Sequence, residues 1–483
     1  MKFYITTSIP YVNGAPHIGF ALEAIQADVL ARFYRQKGDD VFFLTGVDEH
    51  GVKIARTAEL AGKTPRVFTE EISGKFRDLK IALNLSWDDF IRTTDQKRHW
   101  PGAQALWKAL ADKGDIYKKT YKGLYCVGHE AFITEKDLKD GICADHQKAP
   151  ELIEEENYFF RLSKYIGDIK LRIKNNELKI LPVGKKNEVL GLIKEGVEDI
   201  SFSRPKKNLS WGIPVPDDNL QTMYVWCDAL ANYISALGYG GSDDALFQKF
   251  WPADAHLIGK DILRFHALIW PAMLLSADLE LPKALLVHGH ITSGGQKMSK
   301  TIGNVVDPFE AVKQYGVDAI RYYLLREIPS GEDGDFSYEK LRERYNGDLA
   351  NGLGNFAARV TTLAEKLDLS SYAVEPAIEK EIFSVREEAA KKVLEFKLHE
   401  ALAKIFELVR AGDQLLNDRQ PWKNSDSSQS GSDLYNLVVL LDNVAALVAP
   451  FLPETATKIQ ECIQWKGNKL SVKKCSGLFP RIE

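Results

Sequence analysis

Two short loops in this chain carry residue types suited to binding phosphate. The first is Ile9-Pro10-Tyr11-Val12-Asn13-Gly14-Ala15-Pro16-His17-Ile18-Gly19-Phe20, between an apolar run and a helical pattern. A helix N-terminus offers unsatisfied N–H groups and partial positive charge. There His17 can donate to phosphate oxygens, and Gly19 lets the backbone come close. On its own the pair reads equally as a capping histidine and a packing glycine. The second loop is Ser293-Gly294-Gly295-Gln296 followed by Lys297-Met298-Ser299-Lys300-Thr301. Two lysines on a glycine-led loop can clamp β- and γ-phosphates and stabilise charge on a departing pyrophosphate. Losing one such donor costs about 3 kcal/mol of transition-state stabilisation. Alone, this loop also reads as a solvated basic turn. A third constellation, Cys126-Val127-Gly128-His129 and Cys143-Ala144-Asp145-His146, supplies two Cys-x-x-His pairs. Four N/S donors, Cys126, His129, Cys143 and His146, form a closed set, which makes a bound zinc structural rather than catalytic.

The elements that must hold these loops follow from periodicity. Phe3 to Thr7 predicts a buried strand, and Ala21, Ile25, Val29 and Phe33 form one helical stripe that stops at Gly38. Val41 to Thr45 predicts the next strand, and Thr64-Pro65 an N-cap with a first-turn proline. Strand and helix in alternation predict a parallel sheet with crossover helices. From Ile116 to about Pro216 the texture turns to Lys, Glu and short β-like runs, an expected insertion. Strand signals resume at Met223 to Cys227, His256 to Ile258 and Leu285 to His288. Asp307-Pro308-Phe309-Glu310 opens a helix that Gly316 closes. From about Tyr338 the period is helical, with Asn424 to Ser432 as a polar connector.

Composition narrows the class. A chain of 483 residues, 45% hydrophobic and 27% charged, predicts a globular protein of more than one packed unit. The longest apolar stretch, Leu437 to Leu452, is interrupted by Asp442, Asn443 and Pro450, so no membrane span is expected. No secretory signal is legible at the start. Five cysteines, an odd and sparse set, argue against a disulfide framework. A cytoplasmic location follows as the expectation. The net charge of −4 neither supports nor excludes nucleic acid, because only the face meeting phosphates must be basic.

Together the two phosphate loops resemble the signatures of class I aminoacyl-tRNA synthetases. The stretches Pro10-Tyr11-Val12-Asn13-Gly14, Leu44-Thr45-Gly46-Val47-Asp48-Glu49-His50-Gly51, Tyr224-Val225-Trp226-Cys227-Asp228-Ala229-Leu230, His256-Leu257-Ile258-Gly259-Lys260-Asp261 and Lys297-Met298-Ser299-Lys300 are similar, in order, to the methionyl-tRNA synthetases. The similarity runs over essentially the whole chain. It implies an α/β fold: a Rossmann-type parallel-sheet catalytic domain split by a zinc-knuckle insertion, followed by an α-helical anticodon-binding domain. The implied boundaries are 1–115 and 217–290 for the catalytic halves, 116–216 for the insertion, 291–345 for the lysine loop and stem-contact region, and 346–483 for the helical domain.

The resemblance also implies roles. Ile9, Tyr11, Trp226, Leu230, Tyr233 and His266 match the methionine pocket, with Asp48 on the ammonium. A polarizable thioether suits aromatic walls, and a carboxylate suits an ammonium. Gly259 and Asp261 match positions near the ribose, and the backbone at Ile291 the adenine. His17, Gly19, Lys297 and Lys300 match the phosphate contacts, and His17, Lys297 and Lys300 are the catalytic candidates. Asn355, Arg359 and Trp422 match the anticodon readers. The implied cofactors are ATP, Mg2+ and one structural Zn2+. The implied partners are L-methionine and tRNA(Met), including the initiator, with a monomeric enzyme. One position departs: the family's first signature usually ends in a second histidine, and here Phe20 cannot donate a hydrogen bond.

Other readings share parts of this pattern. Branched-chain synthetases carry a longer editing insertion, and cysteinyl enzymes place zinc in the substrate pocket. A tRNA-binding relative without catalysis would be motivated by Phe20 alone. A small nucleotidyltransferase would lack the helical segment. The zinc expectation is tested by metal analysis of the purified protein. One zinc per chain is expected, with chelator destabilising the inserted lobe first, since binding energy is also folding energy. Absence of zinc together with unchanged stability in chelator refutes it.

Overall fold

In the computed structural model all residues are described except 128–130, 134–137, 145–146, 299–302, 366, 370, 425–426, 468, 476 and 483. His129, His146 and Lys300 therefore lie outside the described residues, as do the side chains of Tyr121, Ala131, Phe132, Lys297 and Asn424. The chain divides into two compact units. One comprises Met1–Pro16, Lys37–Lys80 and Ser86–Val287, the other His17–Gln36, Ile81–Leu85 and His288–Glu483.

The first unit is built on strands β1 (Lys2–Thr7), β2 (Asp40–Val47) and β3 (Asp89–Arg92), joined in one sheet by Ala255–Gly259, Ala284–His288 and Lys179–Leu181. The strand order is β3, β2, β1, then 255–259, 284–288 and 179–181. β1 pairs in parallel with β2 on one side and with 255–259 on the other. Connections leave β1 in opposite directions here, and such a switch point opens a crevice at the carboxyl ends of the strands. β1 is apolar on both faces because both are covered: Tyr4 and Ile5 are fully buried. The outermost strand, Lys179–Leu181, comes from inside the stretch that the sequence suggests is an insertion, so that stretch also contributes to the main sheet. The same stretch has its own antiparallel sheet, in which Ile116–Cys126 pairs with Glu151–Phe160.

One predicted strand is corrected. Met223 to Cys227 does not join the parallel sheet. Met223 ends the strand Asp218–Met223, which pairs with Ser203–Pro205 and Pro214–Val215 in a separate three-stranded sheet, and Val225–Leu230 is helix. A short apolar run buried all round reads alike as strand or helix. Tyr224, with extended backbone, marks the change.

In the second unit, helix α1 (Ile18–Gln36) shares a buried ion pair with the helix Val317–Glu327. Asp28 meets the Arg321 guanidinium at 2.8 Å, and both side chains are fully buried. The same guanidinium donates to the carbonyls of Phe451 (2.8 Å), Pro450 (3.0 Å) and Leu83 (3.1 Å). The predicted cap at Asp307 is present: its carboxylate accepts the Phe309 N–H at 2.8 Å, starting Pro308–Tyr315. The helices Asn355–Ala364, Pro376–Leu394, Leu398–Arg419 and Ser428–Val448 follow. Two expectations change here. The polar connector is shorter than 424–432, because Ser427 caps a helix that begins at Ser428. That helix is also long and apolar enough, by length and composition, to cross a membrane, contrary to the sequence reading. Its apolar residues, among them Leu437, Leu441 and Val448, are buried within the protein.

Replacing Arg321 with Leu leaves the Asp28 carboxylate to Arg32, which bonds it at 2.7 Å, and takes the donor from the buried carbonyls of Phe451, Pro450 and Leu83. A loss of about 2–4 kcal/mol is expected, the scale of buried acceptors left unsatisfied beside a weakened buried pair. Denaturant unfolding checks this, and a change below about 1 kcal/mol would show that the pair is not a structural tie.

Candidate active site

At the carboxyl ends of β1 and β2 the chain makes one further parallel bridge, Tyr11 to Asp48. The Val12 N–H donates to the Asp48 carbonyl (3.2 Å), and the Asp48 N–H to Pro10 (3.0 Å). The buried Asp48 carboxylate accepts from the His50 N–H at 3.3 Å and the Thr93 hydroxyl at 3.4 Å. Its neighbour Glu49, wholly buried, is held by Arg92 (3.0 Å), Ser73 and Thr94, so its charge is taken up in the scaffold.

Leu230 and Tyr233 belong to the buried core of this unit, and Ile9, Tyr11, Trp226 and Phe265 pack against it. Trp226 lies flat on Phe265, ring centroids 3.6 Å apart at 10°, and meets His266 edge-on. Residues Phe265–Ile269 form a wide π-type turn before the helix Trp270–Ser276, a local irregularity common where side chains must be re-aimed. His266 has one available tautomer when neutral. Its Nδ1 faces the Ile262 carbonyl at 3.0 Å and must carry the proton, so Nε2 accepts the Tyr233 hydroxyl at 2.7 Å. His256 is fixed the same way: Trp270 Nε1 donates to its Nε2 at 3.2 Å, leaving Nδ1–H for Thr6 Oγ1 at 2.8 Å. Burial, then the nearby His266, pushes the His256 pKa well below the usual imidazole value. The result is an aromatic cage, Trp226, Tyr233, His266 and Phe265, in a unit whose buried carboxylate Asp48 is tied to Tyr11. Gly259 ends its strand and Asp261 lies exposed in the next turn, Lys260–Ile262.

In the second unit His17 precedes α1 and its carbonyl accepts the Phe20 and Ala21 N–H groups. His17 Nδ1 accepts the Gly19 N–H at 3.1 Å, which in the neutral ring puts the proton on Nε2, a donor that suits a phosphate oxygen. Gly19 is needed for this fold-back, since a Cβ there would lie 2.9 Å from His17 Cε1. Phe20 is half-buried in the same turn. Ile291 begins the strand Ile291–Ser293, which pairs with Gln296–Lys297 through a turn at Gly294 and Gly295, both at positive φ. Asp335 anchors this hairpin, accepting the Thr292 hydroxyl (2.6 Å) and the Gly295 N–H (2.8 Å). Those bonds hold its carboxyl below the usual range.

Arg359 and Trp422 come together, the guanidinium 5.6 Å from the ring centroid. Arg359 is held by Asp413 (2.9 Å) and Asn417 (2.8 Å), beside a cavity of about 300 Å3 lined partly by Asn351, Arg410 and Gln414. Asn355 lies exposed one turn before Arg359. Cys126 and Cys143 are both buried in one small cluster with Ile133. Two buried thiols together fit half of a zinc donor set. Among the described residues no group of three or more possible metal ligands occurs.

The sequence model for class I tRNA synthetases (M) matches residues 3–143 and 133–361. A methionine–tRNA ligase of Brucella suis is 43% identical over 97% of this chain and 93% of its own length. One from Thermotoga maritima is 44% identical over 95% of this chain and 75% of its own. The structure of Mycobacterium tuberculosis methionyl-tRNA synthetase in complex with methionyl-adenylate covers 99% of this chain, at TM-score 0.92 and 36% identity. The chain belongs to the methionyl-tRNA synthetase family. Its class I synthetase fold, with the parallel sheet and helical regions, matches that of solved methionyl-tRNA synthetases.

Several features of the site leave little or no signal in the sequence. Phe265 was adjacent to an assigned residue, but only the wide turn places its ring on Trp226. Asp335 and Asp413 carry no local signature, since each acts on a partner far along the chain, whereas Asn417 opens the stretch Asn417-Asp418-Arg419-Gln420-Pro421-Trp422 that resembles the family's anticodon-reading segment.

The neutral His256 makes a pH prediction. Its folded pKa is depressed, so below about pH 6.5 the unfolded chain takes up a proton that the folded one refuses. Stability is therefore complete above that pH and falls as pH drops below it, by at most about 1.4 kcal/mol per unit from this group. His256→Gln should flatten the dependence between pH 6 and 5 by close to one proton, read from denaturant unfolding. Equal slopes in both proteins would contradict a neutral buried ring.

Proposed function

We propose that the chain activates L-methionine with ATP to methionyl-adenylate and pyrophosphate, then transfers methionine to the 3′-terminal adenosine of tRNA(Met). The observation that carries this is the aromatic cage of Trp226, Tyr233 and His266, in one unit with the buried Asp48, in a chain of the methionyl-tRNA synthetase family. Asp48 takes the ammonium; Ile9, Tyr11, Trp226, Leu230, Tyr233 and His266 take the thioether side chain. The methionine carboxylate oxygen attacks the α-phosphorus of ATP, the bond to the β-phosphate oxygen breaks, and pyrophosphate leaves. His17 Nε2–H, Lys297 and Lys300 are assigned to the phosphates, Gly19 to close approach at the helix start, Gly259 and Asp261 to the ribose, and Ile291 to adenine. Mg2+ neutralises triphosphate charge when bound. No covalent enzyme intermediate is required, because positioning and electrostatics lower the barrier. A ribose hydroxyl of the tRNA end then attacks the adenylate carbonyl and AMP leaves.

Residues 346–483 are proposed as the anticodon-binding part, with Trp422 stacking on a base and Asn355 and Arg359 bonding to base edges. The exposure of Trp422, 42%, suits a stacking platform. Residues 116–216 are proposed as the connective lobe, with Cys126, His129, Cys143 and His146 holding one structural zinc. Translation in the cytoplasm is the proposed setting.

Amino-acid-dependent exchange of labelled pyrophosphate into ATP tests the reading, with charging of tRNA(Met) as the second measurement. Methionine should give the fastest exchange, Lys300→Ala should depress exchange while sparing methionine binding, and Trp422→Ala should depress charging alone. Stacking worth about 1–3 kcal/mol sets the last loss at roughly 5- to 150-fold in charging efficiency. Fastest exchange with another amino acid, or none with any, overturns the assignment.

A further inference from the structure

Asp228 is fully buried and takes no part in the chemistry described above. Its two carboxylate oxygens are taken by two histidines from different elements. His50 Nδ1 meets Oδ2 at 2.6 Å, and His99 Nε2 meets Oδ1 at 2.7 Å. The far side of His99, Nδ1, meets Ser235 Oγ at 2.8 Å. His50, His99 and Ser235 are themselves buried. A carboxylate accepts only, so the facing nitrogen of each ring carries a proton, and both tautomers are set by Asp228. Burial alone would raise the Asp228 pKa; attraction to His50 and hydrogen bonds from both histidines outweigh it and keep it below the usual carboxylate value.

What these groups connect is informative. His50 follows the loop that carries Asp48, and its N–H donates to the Asp48 carboxylate. The His50 ring is further held edge-on to Trp211, centroids 5.7 Å apart. Asp228 lies on the helix Val225–Leu230, between Trp226 and Leu230. Ser235 ends the next short helix, Asn232–Ser235, which carries Tyr233. His99 begins helix α4 (His99–Asp112). α4 comes this close because residue 102 is glycine: a Cβ there would stand 2.5 Å from Ser235 Cβ and 2.8 Å from the Tyr239 carbonyl. The chain Asp48–His50–Asp228–His99–Ser235 thus links the carboxylate assigned to the ammonium with both helices assigned to the side chain.

We propose that Asp228, through His50 and His99, is a positioning residue that fixes the ammonium-binding carboxylate relative to the thioether-binding wall, and so sets the length of amino-acid side chain accepted. An amino acid bound at both ends is sensitive to the span between them, and a misplaced anchor loses affinity without touching the nucleotide. A neutral amide at 228 presents one acceptor and one donor, so one histidine must change tautomer or give up its bond.

The inference rests on the proposed methionine-activating activity. The test is pyrophosphate exchange by the full chain and its Asp228→Asn and Ser235→Ala variants, varying methionine, norleucine and ATP separately, with the active fraction counted from adenylate formation. Asp228→Asn should raise the methionine KM about tenfold, the scale of one charge-assisted hydrogen bond, and narrow the preference for methionine over norleucine. The ATP KM should stay within about twofold and kcat should fall less than KM rises. Ser235→Ala should move the methionine KM the same way by about threefold, as for one neutral hydrogen bond, and it decides the matter if Asp228→Asn does not fold. Equal rises in both KM values, no rise, or loss of active fraction alone would reduce the network to a structural one and overturn the proposal. Failure of the wild-type chain to exchange with methionine would instead refute the proposed function.

Discussion

β1 lies at the middle of a parallel sheet, and the strands beside it run on in opposite topological directions. The residues that leave its carboxyl end run on where sheet pairing stops, with Val12 and Pro16 buried and Ile9, Pro10, Tyr11, Asn13 and Gly14 half-buried. Tyr11 makes its last bridge to Asp48, and beyond that point backbone and side chains must find partners other than a strand. The aromatic cage, the buried Asp48 and the turn at Gly259 are all answers to that requirement in one unit. A polar group there is costly unless bonded, which is why nearly every one named above has an identified partner.

Buried charge in this protein serves as a tie between distant segments. Asp28 and Arg321 join α1 to the helix at 317–327, and the same guanidinium gathers three further carbonyls. Glu49 joins the end of β2 to α3 (Pro65–Ala82) through Ser73, and to β3 through Arg92. Asp228 joins the loop after β2 to α4. In each case a charge is removed from water and compensated from more than one element. The net contribution of such an arrangement to stability is small, yet removing one member is expensive. Its effect is to fix geometry, which is what a site built from loops needs.

Hydrogen-bond logic gives the same economy to the histidines. His266 and His256 each face a group that can act in only one sense, an acceptor carbonyl or a donor indole, so their neutral tautomers follow without reference to pH. The aromatic walls beside them suit an apolar thioether and disfavour polar side chains of similar length. At His17 the Gly19 N–H plays the corresponding part and, in the neutral ring, sets the proton on Nε2.

The sequence by itself determined the parallel α/β plan, the helix caps at Thr64 and Asp307, the glycine turn at 294–295 and the family, because these rest on local period, on residues with special backbone freedom and on motifs contiguous along the chain. It also named Trp226, Tyr233 and His266 of the cage, through resemblance. Only the tertiary structure decided that Val225–Leu230 is helix, since a run buried on all sides has no period to read. It likewise decided that Lys179–Leu181 edges the main sheet and that the apolar stretch near residue 440 is a helix buried within the protein. The same holds for Phe265 on Trp226, Asp413 on Arg359 and the two histidines on Asp228. Partners separated by 39 to 178 positions leave no trace in spacing, because their contact is created by the packing of elements whose local signals are independent of one another.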